Sequence, residues 1–124
     1  MNAAQIAMAK PAVHVLCGPD APEYAFRQLL YGLEEEGIPC ELQMGADGDA
    51  VAMAWEGAQA SRLGVGVGLD GRDAVLQMSR LDCEKPLFRV SVHSAERVRI
   101  LGANAARLVK KLPLKPLEGR WEHE

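Results

Sequence analysis

The stretch "LGVGVGL", residues 63 to 69, limits the fold more than any other. Apolar side chains at Val65, Val67 and Leu69 alternate with glycine at 64, 66 and 68. A period of two marks a β-strand, with one face apolar and the other bare. A bare strand face accepts the close approach of another backbone or helix. The stretch therefore predicts a central strand. It also supplies the literal pattern GxGxxG at Gly66 to Gly71. A dinucleotide-binding turn needs those glycines to open a helix, so that the helix N-terminus meets the pyrophosphate. Here they lie inside a strand, and a second strand follows.

The flanking segments supply elements that can cover such a strand. "AVHVLC", residues 12 to 17, is a short apolar run ending at Gly18-Pro19, which suits a buried strand and a turn. Asp20 and Glu23 form a capping-box pattern with Pro22 between them, predicting an N-cap at Asp20. Phe26, Leu29, Leu30 and Leu33 then trace one helix face. Gly37 and Pro39 end that helix. Residues 38 to 44 read as a strand. Asp49 caps a second helix running to about Ser61, with Val51, Ala54, Trp55 and Ala58 expected on its apolar face. After "DGRD", a tight turn, strands follow at 74 to 78 and 87 to 92. Ser94 caps a last helix ending near Lys111, with Val98, Leu101, Ala105 and Leu108 on one face. The order β-α-β-α-β-β-β-α predicts an α/β fold: a mainly parallel sheet with helices on both faces and one antiparallel strand after the hairpin. Residues 1 to 10 and 117 to 124 read as loose ends of a single domain spanning 1 to 124.

A chain of 124 residues fits one such domain, and can bury a real core without disulfides or metal. The net charge of −3 gives no electrostatic reason to expect nucleic acid or an anionic membrane, and 5% aromatics argues against a base-stacking surface. No stretch approaches the ~20 apolar residues that span a bilayer, and the N-terminus lacks a signal-peptide core. Cys17, Cys40 and Cys83 form neither a CxxC nor an even set, so free thiols and a cytoplasmic location are expected. No P-loop, GxSxG or HExxH is present. His14 reads as a core or edge histidine, and His123 falls in the tail. A Ser91–His93–Asp82 triad can be written on paper, but nothing in the pattern marks it.

Two segments fit plain helix chemistry poorly. In the last helix, Gly102 and Asn104 are weak interior helix formers. The glycine permits close packing and the asparagine can bond to a partner, while Arg107, Lys110 and Lys111 suit the negative helix end. In "YGLEEEGIPCEL", Glu34, Glu35 and Glu36 sit at a helix C-terminus, where carboxylates are disfavoured by about 0.3–1 kcal/mol each. Three readings of the acids stay open on the residues alone: a solvated turn, an acidic edge facing a basic partner, or a metal-ligating carboxylate. Successive helix residues diverge by about 100°, so at most one of the three can serve a single ion. Such a hard oxygen ligand suits Mg²⁺ or Ca²⁺.

The blocks "LLYGLEEEGIPCEL", "SRLGVGVGLD", "PLF" and "ILGANAARLVKKLPLK" follow one another in the order and spacing of a known family. From about Val13 to Lys115 the chain resembles the small subunit of the reactivating factor for adenosylcobalamin-dependent diol and glycerol dehydratases. The dehydratases' own medium subunit has a related domain but is longer, and the length here favours the reactivating factor. The resemblance implies a three-layer α/β/α fold with a five-stranded mixed sheet, and a non-catalytic role. It implies a large partner subunit, two of each per complex, with a chaperone-like ATPase domain that binds ATP or ADP. It further implies exchange onto the dehydratase's catalytic subunit, releasing damaged cobalamin, in a propanediol-utilising cytoplasm or bacterial microcompartment. Glu35 matches the family's ligand to Mg²⁺ (or Ca²⁺) at the large-subunit interface. Glu34, Glu36, Asn104 and Arg107 are expected beside it at the partner surface. Without its partner, such a chain would be open to self-association. An unrelated flavodoxin-like module, with a small ligand near "GPDAPE", is the third reading.

Overall fold

The structure, a computed structural model, describes residues 11–117. Its elements are β1 (Val13–Cys17), α1 (Glu23–Glu35), β2 (Cys40–Met44), α2 (Ala50–Ala60), β3 (Val65–Leu69), β4 (Asp73–Met78), β5 (Phe88–Ser91) and α3 (Ala95–Lys110). The five strands form one sheet in the order β2-β1-β3-β4-β5. β1 pairs in parallel with β2 and β3, while β4 pairs antiparallel with β3 and β5. Only β4 therefore runs against the rest, as the hairpin at Asp70-Gly71 predicted.

β3 lies at the centre and all five of its residues are buried. Its side chains at Val65, Val67 and Leu69 join the main core with Leu29 and Leu33 of α1 and Val98 and Leu101 of α3. Each such fully buried side chain contributes about 1.5–3 kcal/mol of transfer free energy. The bare face of β3 receives α2. A Cβ at Gly66 would lie 2.1 Å from Ala58 N, and one at Gly68 would lie 2.2 Å from Ala50 O. The helix backbone itself rests on the two glycines, so GVGLDG is a packing surface rather than a phosphate cradle. α1 and α3 cover the opposite face, giving three layers.

The two helices of that layer cross at glycines as well. A Cβ at Gly32 would meet Arg99 O at 2.1 Å, and one at Gly102 would meet Leu29 O at 2.2 Å. The poor helix former Gly102 is thus explained by close packing, with α1 as the element it admits.

Two local expectations are corrected. The N-cap of α1 is Pro22, with no side-chain cap bond, and not Asp20. The preceding chain makes a turn instead, with Ala21 N–H donating to Gly18 O at 3.1 Å. That turn places Asp20 ahead of the helix. The buried face of α2 is Ala50, Met53, Ala54, Gly57 and Ala58; Val51 is half-buried and Trp55 is 37% exposed. The helix is rotated so that Ala50, Ala54, Gly57 and Ala58 lie over the β3 glycines, with Met53 buried beside them and Trp55 left partly exposed. The caps at Asp49 and Ser94 are present, accepting from Ala52 N at 2.8 Å and Arg97 N at 3.4 Å. Gly37 follows α1 at φ 74°, as its C′ position requires.

Candidate functional site

The acidic C-terminus of α1 lies against α3. The two helices run in the same direction, because each follows a strand of the same orientation. Their negative C-terminal ends are therefore neighbours, and the three glutamates add to that charge. α3 supplies the compensation. Glu36 accepts from Arg107 Nε at 3.3 Å and from Lys110 Nζ at 3.1 Å, and its side chain is only 12% exposed. Lys110 Nζ also donates to the Glu36 carbonyl at 2.8 Å, satisfying an end-of-helix acceptor. The hydrogen bond from Lys110 holds the Glu36 carboxyl below the usual carboxylate range; partial burial opposes this, and Arg107 adds to it.

Glu35 diverges to the other side of the crossing, as helical geometry requires. It forms an ion pair with Arg99, which lies over the Tyr31 ring with its guanidinium carbon 5.9 Å from the centroid. Lys115 Nζ stands 3.8 Å from its second oxygen, and the Glu35 side chain is 35% exposed. Lys115 is held there by Asn104. The buried amide donates to Lys115 O at 3.1 Å and accepts from Lys115 N at 2.7 Å. Asn104, expected at the partner surface, is instead 0% exposed, with both ends of its amide committed to this backbone. Arg107 is also engaged within the chain, to Glu36 and to Pro113 O. Glu34 is exposed, and its charge helps raise the Cys40 pKa, behind the larger effect of burial.

The structure thus brings Glu35 together with Arg99, Lys115 and Tyr31, none of which the sequence reading singled out. The available signal was charge balance: three acids at one helix end call for cations on the helix that shares its sheet face. Among the described residues no group of three or more His, Cys, Asp or Glu could hold a metal ion. Glu35 fits a divalent cation as one hard carboxylate ligand, reachable from solvent once Arg99 swings aside. The remaining ligands would have to come from water or another chain.

Other sequence candidates are dispersed. Ser91 Oγ accepts from His93 N, and His93 Nδ1 pairs with Tyr24 Oη at 3.1 Å. Asp82 follows β4 and so sits at the other end of the sheet from His93, which rules out the paper triad. His14 is half-buried in β1, and His123 lies outside the described residues. At the flavodoxin-type position beyond β1 and β3, the ladder continues with Gly18 N–H donating to Leu69 O at 2.8 Å, and Gly71 lies against Asp20. Cys17 is buried and its thiol is pushed up to about 11, by burial first and then by Cys40. No described helix is long and apolar enough to cross a membrane.

A parallel-then-antiparallel five-stranded sheet between a small-residue helix and a glycine-crossed helix pair defines an α/β domain whose distinctive chemistry is on a surface. The family model described as "Dehydratase medium subunit" matches residues 10–115, and the chain belongs to that family. Within it, the chain is 39% identical over 107 residues to the diol dehydratase-reactivating factor small subunit of Klebsiella michiganensis, covering 86% of this chain and 83% of that one. It is 41% identical over 93 residues to the propanediol dehydratase-reactivating factor small subunit of Salmonella typhimurium, covering 74% and 80%. Among solved structures, one of a glycerol dehydratase reactivase superposes with a TM-score of 0.81 at 37% identity, covering 86% of this chain and 98% of that one. A diol dehydratase-reactivating factor complexed with ADP and Mg²⁺ superposes at 0.80, also at 37% identity, covering 87% and 100%.

Proposed function

We propose that this chain is the non-catalytic small subunit of a reactivating factor that frees damaged cobalamin from an inactivated adenosylcobalamin-dependent diol or glycerol dehydratase. The observation that carries this reading is the likeness over 87% of the chain, at 37% identity, to a reactivating factor solved with ADP and Mg²⁺. In this reading a large subunit binds the nucleotide and carries the ATPase activity. The small subunit pairs with it, two of each, then moves to the dehydratase's catalytic subunit so that the dead cofactor can leave. Work of this kind needs a surface that can be made and broken.

Glu35 is the residue we assign to the Mg²⁺ (or Ca²⁺) contact with the large subunit. In the chain alone its carboxylate is neutralised by Arg99 and Lys115, so no lone charge waits for the partner. Exposed ion pairs are worth about 0–1 kcal/mol, so a metal held by further ligands could displace Arg99 at little cost. The metal, when bound, would supply a charge bridge between the chains. The coupling is reversible and can follow the partner's nucleotide state.

The test is cobalamin release. Dehydratase holding inactivated cobalamin, mixed with large subunit, ATP and Mg²⁺, should release it when this chain is added and not without it. Equal release in both mixtures contradicts the proposal. The family description favours one rival, a medium subunit of the dehydratase itself. That chain would instead form a lasting complex with the catalytic subunit and retain cobalamin.

A further inference from the structure

We infer that β2, an edge strand with no further strand beside it among the described residues, is a self-complementary surface on which two copies of this chain pair as antiparallel strands. All five residues of β2 are at least partly exposed, and Leu42 and Met44 are 39% and 55% exposed. The register with β1 and the bond from Val13 N to Pro39 O settle which main-chain groups are spent. In a parallel ladder the bonds of β2 to β1 then fall on residues 39, 41 and 43. The N–H and C=O groups of Cys40, Leu42 and Met44 point outward, which is the template an added strand uses.

The outward set is symmetric about Leu42. A two-fold axis there sets Leu42 opposite Leu42 of the second copy and Cys40 opposite its Met44. Both are pairs of hydrogen-bonded type, which exchange two bonds each, so three pairs give about six bonds across the edge. Side chains agree with this register. Cys40 packs on the core beneath α1 and α3, and residues two apart share a face, so Leu42 and Met44 lie on that side. Pairing would cover these apolar side chains with those of the second copy. On the other face Glu41 meets Gln43 rather than another Glu41, so no like charges oppose. A one-residue slip would lose the outward bonding parity and move the apolar side chains to the wrong face. Such an edge-only contact is small, which makes the pair weak and reversible. It would shelter the strand whenever the chain is without a larger partner. The inference rests on β2 alone and does not depend on Glu35 or a metal.

The experiment uses the isolated full chain without metal, nucleotide or large subunit. Cys83 is exposed, so Cys83→Ser serves as background in every variant. Sedimentation should show concentration-dependent dimer, reduced at least several-fold by Leu42→Lys. Under mild oxidation, Met44→Cys should give a covalent dimer through Cys40 of the second copy. The paired Cα atoms would sit about 5.5 Å apart, within disulfide reach. Within one copy positions 40 and 44 span four strand residues, about 13 Å, which prevents an internal bridge. Gln43→Cys, on the other face, should not cross-link. A monomer at every concentration overturns the inference. So does a dimer unaffected by Leu42→Lys, or one that cross-links equally through Gln43→Cys.

Discussion

At the scale of single residues, carboxylates do more of the structural work than the sequence suggests. Asp70 accepts from Arg72 N and Asp73 N at 2.7 Å each, and from Ala50 N, the start of α2, at 2.9 Å. One side chain therefore closes the β3–β4 turn and ties it to the helix on the opposite side of β3. Partial burial acts to raise the Asp70 pKa, but the three backbone N–H groups outweigh it, with help from Arg89, and the carboxyl is held below its ordinary value of 3.8. A depressed folded-state pKa means stability that is fully present above the unfolded value and is lost as pH falls through the folded one. Asp70→Asn keeps one acceptor oxygen and leaves part of this set unmade, at a cost of about 1–3 kcal/mol. Denaturant titration at neutral pH should show that loss, and the acid limb of the stability curve should flatten. An unchanged acid limb would show that Asp70 is not a source of it. The Asp70 hub was not legible beforehand, because "DGRD" announces a turn without announcing what else its carboxylate can reach.

At the scale of elements, glycine explains most of what the sequence made legible. "LGVGVGL" correctly specified a central strand with a bare face, and Gly102 was legible as a residue that permits close packing, though not as the crossing point with α1. What was not legible was the matching half of each contact. The expected face of Val51, Ala54, Trp55 and Ala58 is rotated from the buried one, so it includes the exposed Trp55 and lacks Met53 and Gly57. A helix whose backbone lies on Gly66 and Gly68 sets Ala54, Gly57 and Ala58 against the strand, with Met53 buried toward Leu16 and Ala46, and hydrophobicity alone does not encode that rotation. The Asp20–Glu23 pattern misled for a related reason: an aspartate suits a turn as well as a cap, and the turn at Gly18 takes it. Asn104 looked like a surface donor because a helix-interior asparagine has no local use; its use is eleven residues away, at Lys115. These glycine contacts predict large effects from a single methyl group. Gly66→Ala must push α2 off the sheet, since the new atom would lie 2.1 Å from Ala58 N and 2.3 Å from Ala54 O. Overpacking of this kind costs about 1–3 kcal/mol or more. Gly37→Ala meets nothing within 4 Å, so it should cost only the left-handed backbone strain, about 1–2 kcal/mol. Urea midpoints for both variants should rank Gly66→Ala as the more damaging. The reverse order would contradict the packing described for β3.

At the scale of the whole molecule, the domain presents a buried core, a compensated ionic seam between α1 and α3, and an edge at β2 that no described residue covers. The run of three acids resolves into distinct roles. Glu36 locks the two helix ends together, Glu35 stands solvent-reachable beside Arg99, and Glu34 faces outward near Cys40. Of the three acids, Glu35 is the exposed one whose ion-pair partner, Arg99, is itself about half exposed. The most direct measurement is the affinity of this chain for the large reactivating-factor subunit in ADP, titrated with Mg²⁺, for the parent and for Glu35→Gln. Mg²⁺ should tighten the parent complex, Glu35→Gln should abolish most of that dependence, and the variant's thermal unfolding should stay close to the parent's. Equal Mg²⁺ dependence in the two proteins would contradict the assignment of Glu35 to the metal contact.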